Sequence, residues 1–318
     1  GLTKTTKSDL DGNNSFEEQT SNTRFVGADG ATTQILSRLD ANSALIEKTT
    51  VITSADGKTK SASWADASGT TKRSMTDAIV VSQNGTTTET LSYLKADGSL
   101  ESKTITSTDA HGVLKTTTKD VDGNGVIDQR ITDTIASNGS KQQKFEDLTS
   151  TGAVKSSTKI TTSANGFSTT ADYDTNGDSA VDRRIATTLA IADTGVRTTV
   201  VQESVAGSSG LALANRLTTT VSGTGLQTQR EFDKGGDGIV DQSSTDIITL
   251  NADGSRAQDV KTFNGGTGGT LASRYTTTTS ANGLSINQQW DPAGTGTYSQ
   301  TSTDVTVLNA DGTRIRTV

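Results

Sequence analysis

Aspartate and asparagine recur at alternate positions of short, glycine-containing segments, and these oxygen side chains are the clearest candidates for chemistry in the chain. In segment 120–128, Asp-Val-Asp-Gly-Asn-Gly-Val-Ile-Asp, oxygen side chains occupy the first, third, fifth and ninth positions. Calcium prefers six to eight hard oxygen ligands, and a tight loop whose alternate residues point inward can supply them. Because carboxylates confined to one loop repel each other, a bound cation would relieve the repulsion. The segment therefore predicts a calcium site.

The same pattern recurs in three other segments, which extends the prediction to four calcium loops. Asp, Asn and Gly are also ordinary turn formers. Recurrence at matched positions, with the final acid retained, nevertheless favours a metal, and a main-chain carbonyl at the seventh position can add a ligand. The predicted ligands are Asp120, Asp122, Asn124, the carbonyl of Val126, and Asp128; Asp174, Asn176, Asp178 and Asp182; Asp233, Asp237 and Asp241; and Asp9, Asp11, Asn13 and Glu17.

Segments 66–74 and 291–299 keep the first aspartate of the pattern but lack its later acids. Segment 66–74 carries Lys72 and Arg73 instead. We predict that both segments bind no metal and that the turn itself forms without one. An EF-hand is excluded as the type of site, because helices flank that loop and its final bidentate acid lies farther from the first ligand.

No set of residues points to catalysis, so the chain is predicted not to be an enzyme. His111 is the single histidine, and it lies in a turn whose sister turns carry asparagine or other polar residues, so a solvated turn residue is expected. No Ser-His-Asp arrangement stands apart from the repeated pattern, and no cysteine is present as a nucleophile or zinc ligand. The glycine cluster 265–269 is not a phosphate loop, because no Lys-Ser/Thr pair follows it.

Aromatic residues recur in the strand within two residues before the aspartate-rich segments. These residues are Trp64, Tyr173, Phe232 and Trp290. Packing against neighbouring strands is the favoured interpretation, since aromatic rings bury large areas. A platform on which sugar rings stack is the alternative.

The first aspartates of all six segments recur with a period of about 56 residues, which predicts one continuous repeat array over 1–318. These first aspartates are Asp9, Asp66, Asp120, Asp174, Asp233 and Asp291. The predicted units are approximately 1–56, 57–111, 112–165, 166–224, 225–282 and 283–318, with the last truncated.

Within each unit, four turn signals separate segments of strand length. Asn-Gly and Asp-Gly pairs suit tight hairpins because their central residues adopt positive φ. Before Asp291, the apolar residues Leu284, Ile286 and Trp290 share one face in strict alternation, which indicates strands. We predict an all-β antiparallel meander with four strands per repeat, forming an elongated curled strip or solenoid. A β-propeller with four-stranded blades is the alternative.

Composition narrows the class of protein. Only 30% of the residues are hydrophobic, too few for a thick core, and the net charge of −7 disfavours nucleic acid as a partner. No stretch is long and apolar enough to form a membrane helix. An acidic chain without cysteine, rich in threonine, glycine and aspartate, is typical of a protein secreted by bacteria, so an extracellular or cell-surface location is expected.

Two sequence motifs, Thr-Thr-Ser-Ala-Asn-Gly and Thr-Asp-Val-Thr-Val-Leu-Asn-Ala-Asp-Gly, resemble the repeat arrays of large secreted bacterial calcium-binding proteins of the RTX type. The aspartate-rich segments are similar to the calcium loops of FG-GAP and thrombospondin type 3 repeats. The chain lacks the Gly-Gly-x-Gly-x-Asp nonapeptide of the RTX β-roll and the hydrophobic run that follows the FG-GAP loop. The alternation of short strands and Asp-Gly turns is also similar to RHS/YD-repeat strips. These resemblances imply calcium as the cofactor.

Together, these features predict a calcium-stabilised structural or adhesive repeat protein, such as a stalk, a biofilm matrix filament or a surface layer. Besides calcium, the expected partners are further copies of the chain, added head to tail, and cell-surface glycans. A carbohydrate- or receptor-binding module is the alternative function, and a polysaccharide-active enzyme on a β-solenoid is the least favoured.

Overall fold

The computed structural model describes residues 1–10, 12 and 15–318, and every helix or strand in that part of the chain is a β-strand. The described residues form 23 strands, so the predicted all-β class is confirmed. No helix in the described part is long and apolar enough to cross a membrane. The strands fall into two compact units, Gly1–Lys159 with Thr175–Ser179, and Ile160–Asp174 with Ala180–Val318.

Unit 1 is an antiparallel meander in which each strand from β1 to β11 pairs with the next. Its strands are β1 (Leu2–Ser8), β2 (Glu18–Val26), β3 (Thr32–Asp40), β4 (Leu45–Thr53), β5 (Thr59–Asp66), β6 (Thr71–Val81), β7 (Thr87–Lys95), β8 (Leu100–Thr108), β9 (Leu114–Asp120), β10 (Gln129–Ile135), β11 (Lys141–Leu148) and most of β12 (Val154–Thr162).

Unit 2 repeats this arrangement, with each strand from β13 to β23 paired antiparallel to the next. Its strands are β13 (Ser168–Asp174), β14 (Arg183–Ile191), β15 (Arg197–Gly207), β16 (Gly210–Val221), β17 (Gln227–Lys234), β18 (Gln242–Leu250), β19 (Arg256–Asn264), β20 (Thr270–Thr279), β21 (Ser285–Asp291), β22 (Gln300–Leu308) and β23 (Arg314–Thr317).

The strands follow the sequence repeat, with four strands in each of the first five repeats and three in the sixth. Pairing continues unbroken across repeat boundaries, as in β4 with β5, β8 with β9, and β20 with β21. Separate four-stranded blades would interrupt the ladder at those points. The propeller alternative is therefore wrong within each unit, and the predicted meander is confirmed.

Neither unit contains an apolar core. Ala62 and Ala65, at 5% and 6% exposure, are the only buried hydrophobic residues in the described part of the chain. A second layer would bury alternate side chains of the strands beneath it, so neither face of these meanders is covered in that way. Stability must come from the hydrogen-bonded ladder and from cross-strand side-chain pairs, which β-branched threonine favours.

Buried side chains are instead mostly polar, and several of them are the first aspartates of the repeated segments. The buried polar residues are Asp120, Glu146, Asp172, Asp174, Asp233, Ser243, Thr245 and Asp291. Burying a carboxylate is costly unless hydrogen bonds or a cation satisfy it. These aspartates therefore need identifiable partners.

Because the strands are antiparallel, the connections in each unit alternate between two edges. Connections that follow even-numbered strands are tight turns, such as the one closed by the Gly112 N–H donating to the Asp109 carbonyl at 3.0 Å. Connections that follow odd-numbered strands form what we call the loop edge. Long loops 9–17, 121–128, 235–241 and 292–299 lie on this edge, as do short turns such as the one at Gly98.

Candidate metal centre

The loop between β9 and β10 is organised around the buried carboxylate of Asp120, which is 2% exposed. Its Oδ1 accepts a hydrogen bond from the Gly123 N–H at 2.7 Å, and its Oδ2 accepts one from the Gly125 N–H at 2.9 Å. At the base of the loop, the Asp128 N–H donates to the Lys119 carbonyl at 2.8 Å. The first aspartate therefore shapes the loop through backbone hydrogen bonds, as an Asx turn does.

Three carboxylates converge in this loop. One oxygen from each of Asp120, Asp122 and Asp128 lies within 4.8 Å of the other two, a spacing that could hold a metal ion. Asp128 also accepts the Val121 N–H at 2.7 Å, which fixes the last acid beside the first. Asn124 donates from Nδ2 to Asp122 at 2.9 Å. Of the predicted set 120–128, the structure thus brings all three acids together.

Asn124 and Val126 complete the segment. The Asn124 Oδ1 accepts the Val126 N–H at 2.7 Å and retains a second lone pair. Three carboxylates with an amide oxygen and a carbonyl supply the hard oxygen atoms that calcium prefers. The residues present therefore fit such an ion. The same oxygen atoms also accept hydrogen bonds from within the loop.

This loop contacts the hairpins on both sides of it. Gly123, at φ 75°, lies so close to the Leu100 carbonyl that a Cβ at this position would overlap the carbonyl oxygen. On the other side, the Leu148 N–H donates to the Asp128 carbonyl at 2.7 Å. The loop therefore bridges the β7–β8 hairpin of one repeat and the β11–β12 hairpin of the next. Sequence reasoning missed this, although a glycine fixed at the fourth loop position was its signal.

Segment 174–182 is divided between the two units, and each part is described separately. In unit 1, the Asn176 Nδ2 donates to Asp178 at 3.2 Å, and the Asp178 N–H donates to the Asn176 Oδ1 at 3.0 Å. In unit 2, Asp174 is buried, and the Asp182 N–H donates to the Tyr173 carbonyl at 2.8 Å. The local pattern follows that of segment 120–128.

Segment 233–241 has a different internal geometry. Asp233 is 5% exposed, and its Oδ2 accepts the Gly238 N–H at 3.0 Å. Asp241 accepts the Lys234 N–H at 2.6 Å, and Asp237 accepts the Ile239 N–H at 2.8 Å. These three acids are not brought within the 4.8 Å that groups the acids of the loop after β9.

Segment 9–17 can be described only in part, because Asp11 and Asn13 lie outside the described residues. Asp9 accepts the Gly12 N–H at 2.7 Å, and Glu17 accepts the Leu10 N–H at 2.6 Å. These bonds match those made by Asp120 and Asp128.

The two acid-poor segments differ from each other. In segment 66–74 the long loop is replaced by a tight turn, and the Lys72 ammonium lies 2.8 Å from the Asp66 carboxylate. The bond to Lys72, followed by that from Ser68, holds the pKa of Asp66 far below its usual range. A side-chain cation therefore balances this acid.

Segment 291–299 keeps the long loop around Asp291, which is 1% exposed. Burial raises the pKa of Asp291, but hydrogen bonds from the Gly296 and Thr295 N–H groups and the Thr295 hydroxyl outweigh it, so the pKa lies below its usual value. The loop is thus formed with a single carboxylate.

The residues considered for other chemistry are spread along the chain. His111 is 86% exposed and lies 3.9 Å from the Asp109 carboxylate. Tyr275 and Trp290 pack with ring centroids 5.4 Å apart and an interplanar angle of 37°. Trp64 stacks on Tyr93 at 6.5 Å. Aromatic packing between nearby strands is therefore present at two of the four predicted positions.

No family model matches the chain, and no curated protein matches it. Among solved structures, it is similar to a mutant of transferrin binding protein B from Haemophilus parasuis Hp5, at 8% identity over 84% of this chain and 63% of that one, with a TM-score of 0.17. It is also similar to TcdB2-TccC3, at 12% identity over 97% of this chain and 19% of that one, with a TM-score of 0.17. Isotype 1 transferrin binding protein B from Neisseria meningitidis serogroup B gives 10% identity over 79% of this chain and 63% of that one, with a TM-score of 0.16. The chain thus spans less than two thirds of each of these proteins, and likenesses this low carry no argument about function.

Proposed function

We propose that the chain is a calcium-stabilised structural or adhesive repeat protein that acts outside the cell, as part of a stalk, a matrix filament or a surface layer. The observation that carries the proposal is the convergence of Asp120, Asp122 and Asp128 within 4.8 Å. Without a cation, bringing three carboxylates together costs electrostatic free energy. A bound calcium ion offsets this cost.

The placement of the loop explains why such an ion would serve a structural role. The loop contacts Leu100 of the preceding hairpin and accepts a hydrogen bond from Leu148 of the following one. The described part of the meander has almost no buried apolar side chains. Contacts made by its turns therefore matter more for holding neighbouring strands in place than they would in a protein with an apolar core. An ion that orders this loop would therefore stiffen the junction between repeats, and its binding free energy would add to folding.

Calcium titration of thermal unfolding tests the proposal. With a dissociation constant near 0.1 mM, as in extracellular modules, about 10 mM calcium should stabilise the folded state by roughly 2.7 kcal/mol per site. The melting temperature of a unit should then rise by roughly 5–10 °C, and a chelator should reverse the rise.

Variants of the loop make the test specific. Asp122→Asn should remove the calcium response of the loop after β9 and leave that of the other predicted calcium segments. The matched control is Asp97→Asn, because Asp97 lies in a turn on the same edge and bonds only within that turn, to Ser99. The proposal is contradicted if calcium leaves the melting temperature of the wild-type chain unchanged. It is also contradicted if calcium raises the melting temperatures of both variants equally.

A carbohydrate-binding module is the second candidate, favoured by the half-exposed pair Tyr275 and Trp290. The Tyr275 hydroxyl accepts a hydrogen bond from Gln288 at 2.6 Å, which fixes the ring beside a polar side chain. Fixed aromatic faces next to hydrogen-bonding groups suit the stacking of sugar rings. A glycan array comparing wild type with Trp290→Ala tests this candidate, and an array without hits would argue against it.

A further inference from the structure

Two buried oxygen atoms beneath segment 233–241 have no partner. Asp233 is 5% exposed and Ser243 is 2% exposed. The Oδ1 of Asp233 and the Oγ of Ser243 make no hydrogen bond with any part of the chain that the structure describes. Leaving a polar atom buried and unpaired costs about 1–3 kcal/mol, and more for a charged group. Each atom therefore favours a partner from outside the chain, such as an ion or a water molecule.

The two atoms lie on one face of neighbouring strands. Glu231 pairs with Ser243 across β17 and β18, so these side chains share a face. Asp233 lies two residues after Glu231 on the same strand and projects to the same face. The face therefore presents two carboxylates and a hydroxyl close to the end of the ladder.

The preceding repeat shows how an acid at the Glu231 position is balanced there. There, Asp172 pairs with Arg184 in the same register. The Arg184 guanidinium binds Asp172 through Nε at 2.5 Å and Nη2 at 3.0 Å. In the later repeat the acid is retained, but serine replaces the arginine. The positive charge at that register position has been lost while the negative charge has not.

A cavity of about 160 Å³ adjoins Asp233 and Glu231, and it is lined by Arg216, Thr218, Glu231, Asp233, Gly238 and Val240. Glu231 accepts a bond from Gln229 at one oxygen only, at 2.8 Å. Arg216 contributes one positive charge against two carboxylates, so the lining keeps a net negative charge. Its exposed guanidinium forms no ion pair with the described residues.

We propose that this cavity is a divalent cation site formed by the Asp233 Oδ1 and the Glu231 carboxylate, with the Thr218 hydroxyl as a further oxygen ligand. Its ligand set differs from the Asp233, Asp237 and Asp241 set that the sequence indicates. Two carboxylates and neutral oxygens suit a hard cation such as calcium that keeps some of its water. The inference extends the proposed calcium binding but does not depend on binding at Asp120.

Equilibrium dialysis with calcium counts the bound ions, and variants then test the cavity site separately from the loop after β9. Glu231→Gln should lower the number of bound ions by one, or weaken one site by about tenfold or more. Asp253→Asn is the matched control and should leave the count unchanged, since Asp253 lies in a turn outside every predicted calcium segment and bonds to Ser255. Asp128→Asn reports on the loop after β9 independently. If Asp128→Asn lowers the number of bound ions and Glu231→Gln does not, the proposed cavity site is wrong and the loop site stands. If only Glu231→Gln lowers the number, calcium binding in the loop after β9 is wrong and the cavity site stands.

A gain-of-charge variant provides the second test. Ser243→Arg places a positive charge opposite Glu231, as Arg184 lies opposite Asp172, so it should abolish the same site. If Glu231→Gln and Ser243→Arg both leave the ion count unchanged, the buried oxygens are served by water only and the proposal fails.

A variant of Arg216 distinguishes cation binding from neutralisation of Asp233 by Arg216 itself. If a cation binds, Arg216→Gln removes a like charge, and calcium affinity at this site should rise by about threefold or more. If Arg216 itself neutralises Asp233 in solution, the same variant should instead lower the melting temperature in chelator without changing calcium affinity. That second result would overturn the proposal.

Discussion

Replacing Gly123 with alanine probes the contact that joins the aspartate loop to the preceding hairpin. Gly123 has φ 75°, and a Cβ added there would overlap the Leu100 carbonyl oxygen and its carbon. Gly125, two residues later, has φ 87° but open space around its missing Cβ. The two glycines therefore share a backbone conformation and differ in steric room.

The expected magnitudes follow from that difference. An alanine in the left-handed region costs about 1–2 kcal/mol at either position. At Gly123 the strand β8 must also move away from the loop, which should raise the total to about 3 kcal/mol or more. We expect Gly123→Ala to be more destabilising than Gly125→Ala by about 2 kcal/mol.

Urea unfolding in the presence of chelator, followed by far-ultraviolet circular dichroism, measures both variants without a contribution from calcium. Gly294→Ala provides a second test in unit 2, because its Cβ would overlap the Leu271 carbonyl in the same way. Equal losses for Gly123→Ala and Gly125→Ala would show that the loop does not rest on its neighbour, and the bridging role would then be wrong.

Three further results are expected. Asp128→Asn keeps an acceptor for the Val121 N–H, so it should abolish the calcium response of its loop while changing the melting temperature in chelator only slightly. Burial raises the pKa of Asp259, but the Arg274 guanidinium and the Lys261 ammonium together outweigh it and lower that pKa. The contribution of these ion pairs to stability should be complete above about pH 5 and lost as the pH falls below about 4, and a melting temperature constant down to pH 2 would contradict this. Asp291→Ala removes the acceptor for two backbone N–H groups and a hydroxyl, so it should lower the melting temperature in calcium and in chelator alike, and recovery on adding calcium would contradict that expectation.

Several features were predictable from sequence because they depend on local chemistry. Asn-Gly and Asp-Gly pairs predict tight turns with positive φ, and the structure has positive φ at the glycines Gly166, Gly254 and Gly283 but not at the Asn or Asp before them. Alternation of side chains then fixes strands between the turns. The closeness of Asp120 and Asp128 was also predictable, because a hairpin loop returns the chain to its starting point.

The sequence alone determined the repeat, the strand count and the position of the acids, since each depends on residues close together in the chain. Only the tertiary structure decided which acids meet and what lies beneath them. Segment 233–241 matches the pattern, yet its Gly235 N–H bonds to the Ala214 carbonyl at 2.6 Å in a neighbouring strand. The carboxylate of Asp233 keeps an unpaired oxygen. Its surroundings include Arg216 and Thr218 of a neighbouring strand, residues that the loop pattern does not include. The physical reason is that the partners of a buried side chain lie on neighbouring strands. The spacing of residues within one loop does not determine which residues those are.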